Sequence, residues 1–86
     1  MSKEVILNEN AKREFARLPL VVQERVRGLL RRLRLWPAVS GVKPLRGRLA
    51  GRFRIRTGDY RLRFYLAGPK IVVDRIGHRK DVYEDE

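Results

Sequence analysis

Positions 52 to 65 read Arg52-Phe53-Arg54-Ile55-Arg56-Thr57-Gly58-Asp59-Tyr60-Arg61-Leu62-Arg63-Phe64-Tyr65. Arginine suits phosphate: its planar guanidinium donates two parallel hydrogen bonds to phosphate oxygens and stays charged at any physiological pH. Here arginines alternate with apolar residues, the period of a β-strand with two unlike faces. Gly58-Asp59 reads as a two-residue hairpin turn, with Gly supplying the positive φ that such turns require. That turn pairs Thr57 with Tyr60, Arg56 with Arg61, Ile55 with Leu62, Arg54 with Arg63, Phe53 with Phe64 and Arg52 with Tyr65. Paired residues share a face. Arg52, Arg54, Arg56, Arg61, Arg63 and Tyr65 therefore gather on one side, and Phe53, Ile55, Leu62 and Phe64 on the other.

Like charges directly opposite across an antiparallel pair destabilise it by up to about 1 kcal/mol. Two such pairs, Arg56–Arg61 and Arg54–Arg63, are better explained if something anionic sits over them. The bland alternative is a solvated face that keeps a small basic protein soluble. It accounts less well for arginines aligned by their own turn.

The elements that must position this hairpin are few. Eighty-six residues are expected to form one domain, 1–86, with a modest core. A hydrophobic content of 43% argues against disorder, although 36% of residues are charged. The net charge is +11, and positions 43 to 63 hold eight basic residues against the single acid Asp59. Such a concentration suggests a polyanionic partner: nucleic acid, an acidic protein segment or, less readily, a membrane surface. Cysteine is absent and there is one His, which argues against a structural zinc site and fits a reducing compartment. The start, Met1-Ser2-Lys3-Glu4-Val5, lacks the apolar run of a signal peptide, and no stretch reaches transmembrane length. A soluble cytoplasmic protein is the expectation.

Along the chain, Lys3 to Leu7 is a strand candidate. Asn8 and Asn10 are plausible N-caps for a helix whose apolar stripe is Ala11, Phe15 and Leu18. Pro19 suits the first turn of a second helix striped by Val22, Val26, Leu29, Leu30 and Leu33. Gly28 inside that helix suggests close packing, and Pro37 ends the element. The stretch from Ala38 to Gly51 is a basic connector. After the arginine hairpin, Gly68-Pro69 turns the chain into a third consecutive strand, Lys70 to Ile76, ahead of Gly77-His78-Arg79-Lys80-Asp81-Val82-Tyr83. The order β-α-α-β-β-β predicts an α+β fold, an antiparallel sheet with the helical hairpin on one face and the arginines on the other.

Lys43-Pro44-Leu45-Arg46-Gly47, the arginine hairpin, and Ile76-Gly77-His78-Arg79 with Tyr83 together resemble the RelE/ParE superfamily of toxin–antitoxin toxins. The resemblance spans nearly the whole chain, including the helical hairpin. It implies either a RelE-like endoribonuclease that cuts mRNA on the ribosome or a ParE-like inhibitor of DNA gyrase, each neutralised by a cognate antitoxin. A decayed, non-toxic module that binds only RNA or antitoxin is a third reading. Carried over position by position, the RelE pattern implicates Arg54, Arg56, Arg61, Arg79 and Tyr83. His78 stands where some related nucleases use histidine. Lys43, Arg46, Arg48, Arg52 and Arg63 are expected to extend the RNA-binding surface.

Cleavage of RNA through its own 2′-hydroxyl needs a base, stabilisation of the charged phosphorane, and an acid for the 5′-oxygen. Arginines fit the middle task and are poor bases. Relatives often carry lysines where this chain has Arg54 and Arg56, so proton transfer falls to His78, Tyr83 or Asp81. Tyr83 also suits stacking on an unpaired base. No cofactor or metal is expected, and the cleavage is expected to be metal-independent.

Overall fold

The computed structural model describes residues 2–82. Strand β1 (Glu4–Leu7) leads into helices α1 (Glu9–Ala16) and α2 (Leu20–Leu33). The two-residue strand β2 (Lys43–Pro44) and a 3-10 turn at Gly47–Leu49 follow. Strands β3 (Arg52–Thr57), β4 (Tyr60–Ala67) and β5 (Lys70–His78) then form the meander, and a single helical turn α3 (Arg79–Val82) comes after it. The sheet order is β1-β5-β4-β3-β2. The α+β order expected from the sequence holds, with two refinements: the expected connector contributes the short strand β2, and β1 runs parallel to β5, so the sheet is mixed. Alternation fixes which face a residue takes but says nothing about strand direction. The free edge available to β1 is that of the last strand, because β2 covers part of the outer edge of β3.

Asn8 caps α1, its side-chain oxygen accepting from Ala11 N at 2.9 Å. Asn10, the other N-cap candidate, lies inside the helix and donates to the Asp74 carbonyl at 3.0 Å. Two residues after the cap of the same helix, Asn10 is thus turned to holding β5 where β1 has ended. Glu14 does the same one turn later, accepting the Ile76 N–H at 2.7 Å. Pro19 occupies the N-cap position of α2. The stripe Val22, Val26, Leu29 and Leu33 packs on Ile55, Leu62, Phe64, Ile71, Val73 and Ile76 of the sheet. Full burial of one such side chain contributes about 1.5–3 kcal/mol. Trp36 closes the far end, its ring 5.1 Å from Phe53 and 5.6 Å from Phe64.

The suggestion of close packing at Gly28 does not hold. A Cβ there would meet only Arg31 Nη2, at an ordinary 3.8 Å, and the residue has no positive φ. Glycine at this position only adds backbone freedom to the unfolded chain. Gly28→Ala should therefore stabilise the fold by about 0.5–1 kcal/mol. A higher urea midpoint with unchanged slope is the expected readout; a lower midpoint would contradict it.

Candidate nucleic-acid interface

The hairpin has the register that its turn dictates, with all six pairs from Arg52–Tyr65 to Thr57–Tyr60 in place. Gly58 has φ 58°, in the left-handed region. Ile55, Leu62 and Phe64 are buried beneath the helices, so the arginines stand on the opposite, open face. They are not equivalent. Arg61 is 8% exposed, opposite Gly77, where no side chain competes for space. The Arg63 side chain is 15% exposed and that of Arg52 37%. Lys43 pairs with Arg54 across β2 and β3, adding a cation to the row. Arg46 and Arg48 lie exposed on the connector around the 3-10 turn, outside the sheet.

Sequence reasoning missed Asp74. It is the extra residue of a β-bulge, since Arg63 faces Arg75 while Phe64 faces Val73. The bulge turns a buried carboxylate onto the arginine face. Asp74 Oδ1 accepts from Arg63 Nε at 2.9 Å and Oδ2 from Arg52 Nε at 3.0 Å. Part of the like-charge repulsion is thus answered inside the chain. The sequence held a signal. Ile71 and Val73 alternate inward, but the next inward residue is Ile76 rather than Arg75, and only an inserted residue produces that slip.

Pairing of β2 with β3 starts at Lys43, so among the described residues Ile55 to Thr57 have no strand paired on their outer side. An open groove of about 440 Å³ runs along this edge, with Arg32, Lys43, Arg54 and Arg56 in its lining. Among the described residues the lining has no acidic side chain. Arg32 reaches it from α2 and is held by the Ser40 carbonyl, to which its Nη2 donates at 2.8 Å. The groove can therefore take a polyanion that also touches the open face.

The tail is arranged differently. Arg79 has an acid nearby: Asp59 Oδ1 lies 3.9 Å from its Nε. The pairing of Tyr60 with His78 brings the hairpin turn against the end of β5, and Arg79 N donates to the Asp59 carbonyl at 2.7 Å. The ion pair is exposed on both sides, so it competes weakly with an incoming phosphate. His78 shares its register position with Tyr60, whose ring it meets edge-on at 5.4 Å. Tyr60 packs against the core, so His78 stands on the helix-covered side while Arg61 and Gly77 stand on the open side. It lines a separate groove with Glu14, Arg17 and Asp81. Its Nδ1 accepts the Lys80 N–H at 3.1 Å, so the neutral ring carries its proton on Nε2. Glu14 also holds Arg75 Nε at 3.1 Å, which ties α1 to this end of the sheet. The structure thus brings Lys43, Arg52, Arg54, Arg56, Arg61 and Arg63 to one face and does not bring His78 to it. Tyr83 lies outside the described residues.

Among the described residues no group of three His, Asp or Glu side chains is arranged to hold a metal ion. No helix is long and apolar enough to cross a membrane.

No family model matches the sequence, and no curated protein matches it significantly. Solved structures do. The fold superimposes on a chain of the toxin–antitoxin complex RelBE2 of Mycobacterium tuberculosis with a TM-score of 0.82 and 30% identity, covering 92% of this chain and 100% of that one. The isolated RelE toxin of E. coli matches at TM-score 0.76 and 22% identity, over 98% of this chain and 94% of that one. A chain of the archaeal RelE–RelB complex from Pyrococcus horikoshii OT3 also matches at 0.76 and 22%, over 92% and 97%.

Proposed function

The chain belongs to the RelE-like toxins of toxin–antitoxin systems, and on that premise we propose that it is an mRNA endoribonuclease acting on translating ribosomes. The observation that carries this reading is the open face: five arginines and Lys43 on one side of a three-strand patch, in a fold whose other side is filled by helices. In the reaction proposed, the 2′-oxygen of a bound nucleotide bonds to the adjacent phosphorus and loses its proton to a base. The bond from phosphorus to the 5′-oxygen breaks, and that oxygen takes up a proton. The products are a 2′,3′-cyclic phosphate and a 5′-hydroxyl.

Arg54, Arg56 and Arg61 hold the phosphate, and Arg79, at the end of β5, meets the charge that builds up on its equatorial oxygens. His78 faces the helix-covered side and its Nδ1 is engaged by Lys80 N, so it is given no part in the proton transfers. Tyr83 is assigned to the reacting base or its proton. The step needs no metal. Lys43, Arg46, Arg48, Arg52 and Arg63 guide the message and the ribosomal RNA around it.

Partners follow from the same charge. A cognate antitoxin with an acidic or amphipathic segment would neutralise part of the +11 and cover the face or the helical hairpin. The separation of His78 from the arginine face supports a second reading, a ParE-like protein that binds DNA gyrase without cutting RNA. Two assays run side by side distinguish them. Added to a translating extract, the protein should stop synthesis and leave cut messages, while gyrase supercoiling continues. Arrested supercoiling with intact messages would assign the second reading instead.

A further inference from the structure

Tyr65 stands on the open face, and what lies over its ring is an arginine. Arg52 faces it across β3 and β4, with Cζ 5.0 Å from the ring centroid. The same guanidinium gives its Nε to Asp74 at 3.0 Å, and Asp74 is only 7% exposed. Ring and carboxylate together hold in place a side chain that is still 37% exposed. Next to Tyr65 on this face come Val72 and then Ile6, paired in register across β5 and β1. The row Arg52–Tyr65–Val72–Ile6 is therefore apolar along most of its length and ends in a planar cation.

A phosphate contact is a poor use of Arg52, because a buried carboxylate already holds its Nε and would repel a second anion. A guanidinium held over an aromatic ring is instead a stacking surface, and unpaired nucleobases stack on both. We infer that Arg52 and Tyr65 form a shelf for one unpaired base of RNA, with Asp74 as the positioning residue. This rests on the reading that the arginine face binds RNA. The neighbouring Arg54 lies about 7 Å along the strand, where it can take the phosphate next to that base.

Arg52→Lys tests this, because it keeps the charge and removes the plane. The free protein is titrated with a ten-nucleotide oligoadenylate carrying one 2-aminopurine, and separately with inorganic polyphosphate, a polyanion without bases. One stacked base corresponds to a loss of about 5- to 150-fold on oligoadenylate. Polyphosphate affinity and the salt slope of both titrations should stay unchanged, and the 2-aminopurine quench should be lost. Tyr65→Leu should fall in the same direction, and it decides the matter if the lysine variant is poorly folded. Equal losses on both ligands would make Arg52 a phosphate contact and overturn the shelf. So would no loss on either, or a wild type that binds the two polyanions alike. Neither titration depends on cleavage, so a protein that stacks RNA but leaves ribosome-bound message intact would overturn the nuclease reading and keep the shelf.

Discussion

Arg79→Ala should lower cleavage of ribosome-bound message by about 10²- to 10³-fold, the usual loss when a preorganised donor to a transition-state oxyanion is removed. It should do so without unfolding the protein. The Arg79 side chain is 59% exposed, and its contact with Asp59 is long and solvated, so stability should move by less than about 0.5 kcal/mol. The backbone hydrogen bond from Arg79 N to Asp59 does not involve the side chain. Arg61→Ala gives the contrast. At 8% exposure Arg61 belongs to both the fold and the proposed site, so activity and urea midpoint should fall together. A rate for Arg79→Ala within a few-fold of wild type, at unchanged ribosome binding, would remove Arg79 from the reaction.

Asp74→Ala should cost more stability than any other single surface-face change. Removing one partner of a buried ion pair costs about 3–5 kcal/mol, because the other charge is left uncompensated. Here Arg63 is nearly buried and Arg52 is partly exposed, which places the expected loss near 2–3 kcal/mol after allowance for solvent screening. For a domain of this size that is a large share of the total. The loss also has a signature. Without Asp74 the cations Arg52 and Arg63 lose their shared carboxylate, so raising the salt concentration should recover part of the stability. Equilibrium urea unfolding at low and high salt is the measurement. A loss below 0.5 kcal/mol, or one indifferent to salt, would show that Asp74 does not hold the arginines together.

The hairpin was legible because two independent signals agree on it. Gly58-Asp59 sets the register, and the alternation of arginines with Phe53, Ile55, Leu62 and Phe64 sets the faces. The helices were legible from their stripes and from Asn8 and Pro19. The direction of β1 was not legible, since Val5 and Ile6 would look the same in either orientation. The internal counterion was half visible. Asp74 is an acid among cations, and the slip from Val73 to Ile76 marks the bulge, but which arginines it meets depends on the packing of three strands. The position of His78 follows from the same slip. Counted from Ile76, His78 falls on the helix-covered side with Tyr60, and a sequence reading without the bulge gives no reason to separate it from Arg61. The roles given to Arg54, Arg56 and Tyr83 came from resemblance, and local physics supplies only their charge or their ring.

The central claim is that the arginine face and the end of β5 cut RNA held by a ribosome. Purified ribosomes programmed with a defined message, incubated with the toxin and mapped for new 5′ ends, test it most directly. The account predicts cuts confined to the codon in the A site of ribosome-bound message, 5′-hydroxyl ends at those cuts, and their disappearance with Arg79→Ala. Message that stays intact at a toxin concentration saturating the ribosomes would contradict it.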